Sequence, residues 1–426
     1  MDNEFKTFFD HYYWIAIIGG LVAVTLASIV VWLFLRCRKR PFCEYTALED
    51  EAVLQDRLEM DRKLQRDADR NLALINCQHY LQNSLRYVFI QQLNDLGSRV
   101  DKHWFLVRDT ATKTDRLLIM MPVSDNCPIL CNTTTRQALL ELFVAFQHPY
   151  IYPILDVDFT FLNQQQFVVF IMPFNDKGSL KDLIYQSNCQ HDWREKYQYY
   201  GTGLSESQIQ QLGRQILEGM IFMREHGFPT FGHLHCGNVI IQNGVARISG
   251  LENVLLGNTT RIYFLLQKYI CDNQDCVDSI CFGHLLFEMA AGYELNTPYP
   301  KEKNYRDLNH CPRIIKVLKF IFRQEGIHYP LIQEISRLEF FRHIDLRELR
   351  SHSFPANLSI SAHTLLRDVR YYQKYHIRTS PFSTLSPTER SSNNCLNLGD
   401  RHLDCTQWRT VSPYHKTSDS RTFYVV

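Results

Sequence analysis

Residues 231–253 read FGHLHCGNVIIQNGVARISGLEN, and this stretch decides which fold the rest of the chain supports. Two short apolar segments, residues 239–241 and 245–248, lie in its second half, and Gly237 with Asn238 comes just before the first of them. Imidazoles stand at His233 and His235, between apolar residues that predict burial. The pattern predicts a buried loop flanked by apolar strands, with histidines as its ionisable groups.

Composition indicates a large globular chain without a strong overall charge. Of 426 residues, 45% are hydrophobic and 13% aromatic, which suits one two-lobed domain with additional segments. The 46 Lys and Arg residues nearly balance the 45 Asp and Glu residues, so no global field favours nucleic acid. The 13 cysteines lack CxxC pairs and zinc-finger spacing, which favours reduced thiols in the cytosol over disulfides or a metal site.

Residues 14–35 read WIAIIGGLVAVTLASIVVWLFL, which is 22 residues without a charged side chain. A helix of this length spans roughly 30 Å, the thickness of the hydrocarbon core of a bilayer. The stretch therefore predicts a transmembrane helix. A cleaved signal peptide and a buried core helix are the alternatives, but no basic segment precedes the stretch.

The charges beside this segment predict its orientation. The basic run RCRKR occupies residues 36–40, whereas residues 1–13 are mainly acidic. The positive-inside rule then places residues 1–13 outside and everything after the span in the cytoplasm, as in a single-pass protein of the plasma membrane. Reversible acylation is expected at juxtamembrane cysteines such as Cys37 and Cys43, although cysteines there also stay unmodified.

The rest of the chain divides into three parts. Residues 36–96 begin with the basic run and continue with a stretch rich in Leu, Gln and charged residues. Apolar residues recur in this stretch at helical spacing but without clean heptads, which predicts a helical stalk rather than a coiled coil. Residues 97–350 alternate short apolar strands with longer helices, as in an α+β domain. Residues 351–426 are rich in Ser, Thr, Asn and Pro and predict a largely disordered tail.

The α+β domain resembles a protein kinase over about 250 residues, in which four stretches follow the order of that fold. FQHPYIYPIL, from Phe146, resembles the exit from helix αC. FVVFIMPFNDKGSLKDLI, from Phe167, is similar to the strand, hinge and start of αD. LSESQIQQLGRQILEGMIFMREHGF, from Leu204, resembles αE, and CVDSICFGHLLFEMAAG, from Cys276, resembles αF. The resemblance implies a two-lobed kinase-like fold.

Counting along this resemblance, the residues that transfer phosphate are replaced. In kinases the catalytic segment HRDLxxxN follows αE and the magnesium-binding DFG follows one hairpin later. Asn238 aligns with the asparagine, which puts His233 at the catalytic Asp, His235 at the following lysine and Gly250 at the DFG aspartate. The strand that should read VAIK reads LLIMMPV, so Met120 or Met121 stands at the lysine.

The region over the phosphates and the αC helix are altered as well. The glycine-rich loop keeps a single glycine, Gly97. The αC glutamate is expected near Leu139, and Glu141 is close to that position but on a different face of the helix.

With four supports of phosphoryl transfer replaced together, we predict a pseudokinase without catalytic residues and without a metal site. ATP binding is left open. The alternative is an atypical serine/threonine kinase with displaced catalytic groups, for which Glu141, Glu252 or Asp182 would have to act.

Other residues of the resemblance have structural roles. We expect Asp278 of αF to hold the backbone of the loop through buried amides, and Gly283 to permit the close approach of a second helix. Asn238 is either a vestigial metal ligand or a buried amide that satisfies loop carbonyls. His233 and His235 are separated by one residue on an extended loop, so they should point to opposite sides rather than share a metal.

Within the kinase-like proteins, GHLHCGN, RISGLEN and LLG are similar to the branch that contains the PX-domain kinase-like and slowpoke-binding proteins. This branch consists of adaptors of ion-transport proteins, so the resemblance implies an adaptor whose partners are a calcium-activated potassium channel and 14-3-3. No PX domain is present in the sequence, so lipid-head-group recognition is not implied.

Two short motifs lie outside the kinase-like region. RSHSFP, from Arg350 through Ser351 and Ser353 to Pro355, has the form that 14-3-3 binds once the second serine is phosphorylated, although it is also compatible with a simple connector. The last three residues, from Tyr424 to Val426, could add a strand to a PDZ domain.

Overall fold

The computed structural model describes residues 19–33, 44–94, 96–97, 99–188, 196–272, 274–322, 328–351 and 357–379. Residues 19–33 are helical and form α1, the described part of the predicted transmembrane segment. Among the helices so described, none combines the length and the hydrophobicity that crossing a membrane requires. Residues 14–18 and 34–35 of the predicted span lie outside the described ranges, as do Cys37 and Cys43.

The first lobe is a five-stranded antiparallel sheet with one helix on each face. Its strands are β1 (Tyr87–Leu93), β2 (His103–Asp109), β3 (Thr114–Pro122), β4 (Asp156–Leu162) and β5 (Gln165–Pro173), in the order β1-β2-β3-β5-β4. Helix α2 (Glu44–Gln82) covers one face, and α3 (Thr133–Ala145), which corresponds to αC, covers the other. Because side chains alternate along a strand, β2, β3, β4 and β5 each supply side chains to both cores, whereas β1 contributes to the core on the α2 side.

The end of α2 packs on the sheet as part of this lobe. Its residues Ala73, Cys77 and Leu81 are buried in one cluster with Phe105 of β2 and Val169 of β5. The prediction of a helix in the stalk is confirmed for residues 44–82, and the packed form weighed against a coiled coil is the one present.

The prediction is wrong for residues 87–93, which form the edge strand β1. Their sequence YVFIQQL is rich in aromatic and β-branched residues, which favour strands, whereas a lack of Gly and Pro fits helix and strand equally. The kinase-like domain therefore begins at β1, before residue 97.

The second lobe is helical and follows the hinge after β5. Its central helix, α8 (Val277–Ala291), is buried on nearly all sides, so the other helices pack around it. A two-stranded hairpin joins the lobe to the first one, since Ile248 exchanges backbone hydrogen bonds with Tyr150 and Tyr152. The helices are α4 (Leu180–Tyr185), α5 (Glu206–Glu225), α6 (Leu251–Leu255), α7 (Tyr263–Asp272), α8 (Val277–Ala291), α9 (Glu302–Asp307), α10 (Pro312–Ile321), α11 (Ile332–Ser336), α12 (Glu339–Arg342) and α13 (Ile360–Thr379); the hairpin is β6 (Val239–Gln242) and β7 (Val245–Ile248).

Helix α13 corrects the prediction of a largely disordered tail for residues 360–379. Ala362, Leu365, Leu366 and Val369 follow the spacing of one helical face, and all four are buried. They pack α13 against α3, α6 and α7. The tail as a whole is polar in composition, so its four apolar residues at helical spacing did not stand out in the sequence. Residues 352–356 and 380–426 lie outside the described ranges.

We predict that Leu366→Ala lowers the free energy of unfolding by about 2–5 kcal/mol, because it leaves a cavity under α13. Leu366 is 0% exposed, whereas Ile360 on the same helix is 87% exposed. The control Ile360→Ala should therefore stay within about 0.5 kcal/mol of the parent chain. Urea unfolding measures both, and equal effects of the two changes would show that α13 is not docked.

Candidate functional site

The loop 231–235 lies between α5 and the hairpin, and Asp278 of α8 fixes its backbone. The Asp278 carboxylate accepts the N–H groups of Phe231, at 3.2 Å, and of Gly232, at 2.8 Å. Burial raises the pKa of Asp278, and these two amides act against that rise. These contacts are of the kind that the sequence analysis expects of this aspartate.

Gly283 lies on the same helix, where α10 passes close by. A Cβ at this position would lie 2.7 Å from the ring of Phe322 and 2.9 Å from Ile321. The absence of a side chain at Gly283 therefore permits the helices to approach, in agreement with the expected role.

His233, at the position of the catalytic aspartate, is buried and neutral. Its Nε2–H donates to the carbonyl oxygen of Asn258 at 2.9 Å. Burial is the main cause that lowers the pKa of His233 to about 3, with the positive charge of Arg99 as a further cause. A side chain held in this way stabilises the loop after the hairpin and is not positioned to accept a hydroxyl proton at neutral pH.

His235, at the position of the lysine, has different surroundings. Burial lowers the pKa of its imidazole well below the usual value, and Arg261 and Lys181 add to this effect. Its ring lies on Gly237, where a Cβ would be 3.2 Å away. Within the described part of the chain, no group of three or more His, Cys, Asp or Glu side chains is arranged to hold a metal ion.

Asn238 and Gly250 pack against each other where a kinase holds magnesium. The amide of Asn238 donates to the carbonyl oxygen of His233 at 2.9 Å, so it satisfies the loop backbone. Gly250 has φ of +92°, and a Cβ there would lie 2.9 Å from Nδ2 of Asn238. The backbone at the position of the magnesium-binding aspartate is therefore strained for any residue other than glycine, and a side chain there would displace the Asn238 amide.

The register of β3 settles which methionine replaces the kinase lysine. Met120 is buried with Cys77 and Leu81 on the α2 side of the sheet, whereas Met121 belongs to the core on the α3 side. Since α3 supplies the expected glutamate position, Met121 is the counterpart of the lysine. Leu139 of α3 is buried in the same core, so an apolar contact region replaces the ion pair.

A buried ion pair crosses the cleft between the lobes. Nζ of Lys102, just before β2, lies 2.7 Å from Oε1 of Glu252 on α6. Their side chains are only 10% and 1% exposed. Nearby, the Arg99 guanidinium donates to the carbonyl oxygen of Thr259 at 2.7 Å, which adds a second connection between the lobes. Both contacts occupy the region beneath the loop that covers phosphates in a kinase.

The sequence does not predict this pair. Glu252 enters the sequence-based hypotheses only as a displaced catalytic group, and Lys102 enters none of them. The two residues are 150 positions apart, and no spacing motif connects them. A lysine directly before the second strand was the one available signal.

The other carboxylates of the alternative enzyme hypothesis are engaged elsewhere. Glu141 is half-buried on α3 and accepts the hydroxyls of Ser359, at 2.5 Å, and Ser361, at 2.9 Å, at the start of α13. Asp182 caps α4 by accepting the backbone N–H of Ser179 at 2.8 Å, and it also binds Lys196. The three carboxylates lie on three different helices and have structural partners there.

The two short motifs are described only in part. Arg350 forms two hydrogen bonds with the Asp345 carboxylate, at 2.8 and 2.9 Å, and both side chains are exposed. Ser353 and Pro355 of the same motif lie outside the described residues, and so does the C-terminus from Tyr424 to Val426.

Comparison with known proteins finds relatives among kinase-like proteins. The chain is 40% identical over 346 residues to the Slowpoke-binding protein of Drosophila melanogaster. This alignment covers 78% of this chain and 66% of that protein. It is 32% identical over 290 residues to the probable inactive serine/threonine-protein kinase slob2 of Dictyostelium discoideum, which covers 66% of this chain and 48% of that protein. The PX domain-containing protein kinase-like protein of Rattus norvegicus is 34% identical over 226 residues, or 52% of this chain and 38% of that protein. The chain thus matches 66% or less of the length of each relative.

No protein-family profile matches the chain. Among solved structures, the crystal structure of Rad53 1-466 in complex with AMP-PNP matches with a TM-score of 0.44 and 13% sequence identity. That match covers 60% of this chain and 65% of the other.

We predict that Lys102→Met lowers the free energy of unfolding by about 3–5 kcal/mol, because it leaves the Glu252 carboxylate buried without its partner. Adding Glu252→Met should recover most of this loss, since two apolar side chains can replace a buried pair. Arg108→Met is the matched control, as its pair with Asp115 is exposed and contributes at most about 1 kcal/mol. Urea unfolding of the variants measures these differences, and a Lys102→Met variant as stable as the parent would show that the pair does not join the lobes.

Proposed function

Because the chain belongs to the kinase-like family that includes the Slowpoke-binding protein, we propose that it is a membrane-anchored adaptor that binds a slowpoke-type ion channel. Its kinase-like domain is catalytically inactive, in line with relatives named as inactive or kinase-like. One observation carries the adaptor proposal: the cleft keeps its two-lobed frame while Lys102 and Glu252 bind each other across it. Such a domain acts through its surface and not through phosphate transfer.

The channel is the calcium-activated potassium channel that the sequence resemblance implies. The name of the insect relative supports a partner of this kind, and the alignment with it includes 78% of this chain. Since a third of that relative lies outside the alignment, the channel-binding surface is proposed for the shared region and not for the whole relative.

The membrane anchor is the uncharged stretch 14–35. In its described part, α1, the hydroxyl groups of Thr25 and Ser28 donate to the carbonyl oxygens of Val22, at 2.9 Å, and Val24, at 2.8 Å. Hydroxyls satisfied within their own helix suit a hydrocarbon environment, where unpaired polar groups are costly. The basic residues 36–40 favour a cytoplasmic kinase-like domain at the plasma membrane.

The segment from Arg350 to Pro355 is the proposed 14-3-3 site, with phosphate on Ser353 as the recognised group. The exposed pair between Arg350 and Asp345 is a weak obstacle, because exposed ion pairs contribute about 0–1 kcal/mol. No nucleotide has a part in this function. Acylation at Cys37 or Cys43 and PDZ binding through Tyr424 and Val426 stay predictions.

The full chain, purified from membranes of an excitable tissue, tests both partners. We expect a calcium-activated potassium channel and 14-3-3 to co-purify with the parent chain. Ser353→Ala should remove 14-3-3, because it removes the phosphate acceptor, while the channel is retained. Ser351→Ala, in the same motif, is the matched control and should retain both.

Immunoblots of the purified material distinguish the outcomes. Absence of the channel from the parent sample would contradict the adaptor proposal. Retention of 14-3-3 by Ser353→Ala would contradict only the assigned phosphorylation site.

A further inference from the structure

A cavity of about 300 Å³ opens between α13 and the end of α5, away from the pair that crosses the cleft. Helix α13 builds one wall with Arg370, Gln373 and Lys374. Nε2 of Gln373 donates to the carbonyl oxygen of Thr230 at 2.9 Å, which holds this wall against the loop that leads to Phe231. The cavity therefore exists only while α13 is docked.

The floor of the cavity is apolar. It consists of two methionines of α5, Met220 and Met223, and two aromatic side chains, Phe228 and Phe231. All four are buried, so their outer atoms face the cavity from a fixed core. Methionine adapts its shape to the side chain that it meets, which makes such a floor suitable for a large apolar group.

The rim of the cavity is positively charged. Arg224, Arg370 and Lys374 are exposed around it, with Asp275 as an exposed acidic neighbour. The remaining acidic group, Asp278, already accepts two backbone amides, and burial raises its pKa. Three cations on the rim thus outnumber the exposed Asp275 carboxylate, and this excess of positive charge favours an anionic ligand.

We propose that this pocket binds a short acidic peptide segment of a partner protein, with one large apolar side chain on the floor and carboxylates on Arg370 and Lys374. An apolar anchor surrounded by complementary charges is a common mode of recognition by proteins. The proposal deepens the adaptor function and depends on it only for the existence of a protein partner.

The charge of the rim favours an acidic peptide over two other occupants, the chain's own tail and an anionic lipid. Residues 380–426 of the chain contain five Lys and Arg residues and four Asp and Glu residues, so the chain's own tail does not complement a basic rim. Recognition of anionic lipid usually takes about four to eight clustered Lys or Arg residues, whereas this rim has three and an aspartate. An acidic peptide can avoid Asp275 by placing its carboxylates on the α13 side alone.

The test uses the full chain in detergent micelles and the fluorescein-labelled peptide Glu-Glu-Phe-Glu-Glu, followed by fluorescence polarisation at low ionic strength. We expect saturable binding that is at least about tenfold weaker for Glu-Glu-Ala-Glu-Glu, which lacks the anchor, and for Lys-Lys-Phe-Lys-Lys, which has the wrong charge. Arg370→Glu combined with Lys374→Glu should weaken binding of the first peptide by at least about tenfold. Arg367→Glu, on the same helix but outside the cavity lining, is the matched control and should bind like the parent chain.

Several results would overturn the proposal. Equal binding of the acidic and basic peptides would do so, and this comparison needs no variant to fold. Unchanged binding by the double variant would place the peptide elsewhere. Tighter peptide binding after removal of residues 380–426 would assign the pocket to the chain's own tail. Binding of dihexanoyl phosphatidylserine without peptide binding would assign it to lipid. In each case co-purification of the channel reports separately on the adaptor function.

Discussion

The ion pair between Lys102 and Glu252 is a buried polar contact that crosses the cleft between the two lobes. It joins the beginning of β2 in one lobe to α6 in the other, and both charges are removed from solvent. A buried ion pair stabilises a fold only weakly relative to apolar packing, but the loss of one partner is costly. The pair therefore favours the relative position of the lobes in which both charges have their partner. That position places a carboxylate and an ammonium against each other in the region that would otherwise receive the phosphates of a nucleotide. Inactivity therefore follows from a contact that is present as well as from residues that are missing.

The remaining positions of the former catalytic site contribute to the same frame. His233 binds the backbone of Asn258, and Asn238 binds the backbone of His233. Gly250 allows Asn238 to approach, and Asp278 holds the loop from below through two amides. His233, Asn238 and Asp278 thus each have backbone partners within their own domain. The loop persists because it joins the hairpin, α6 and α8.

Much of this could be predicted from the sequence, and the omissions have physical causes. The order of the kinase-like stretches and the count back from Asn238 located His233, His235 and Gly250, since that count depends only on neighbours along the chain. The choice between Met120 and Met121 needed the register of β3, because neighbouring residues of a strand face opposite sides of the sheet. A sequence alignment that is uncertain by one residue does not determine which of the two faces α3. The Lys102 and Glu252 pair connects distant segments, and single-sequence patterns do not report such contacts. Helix α13 was missed because the composition of a long polar tail outweighed four apolar residues at helical spacing.

Helix α13 adds contacts to the kinase-like domain, because it packs against α3, α6 and α7. The most direct test of this account measures thermal unfolding of the full chain with ATP, with and without Mg²⁺, together with incorporation of the γ-phosphate. A ligand that binds the folded state raises the unfolding temperature. The account predicts no shift that requires Mg²⁺ and no incorporation; a magnesium-dependent shift with incorporation that Glu252→Gln abolishes would contradict it.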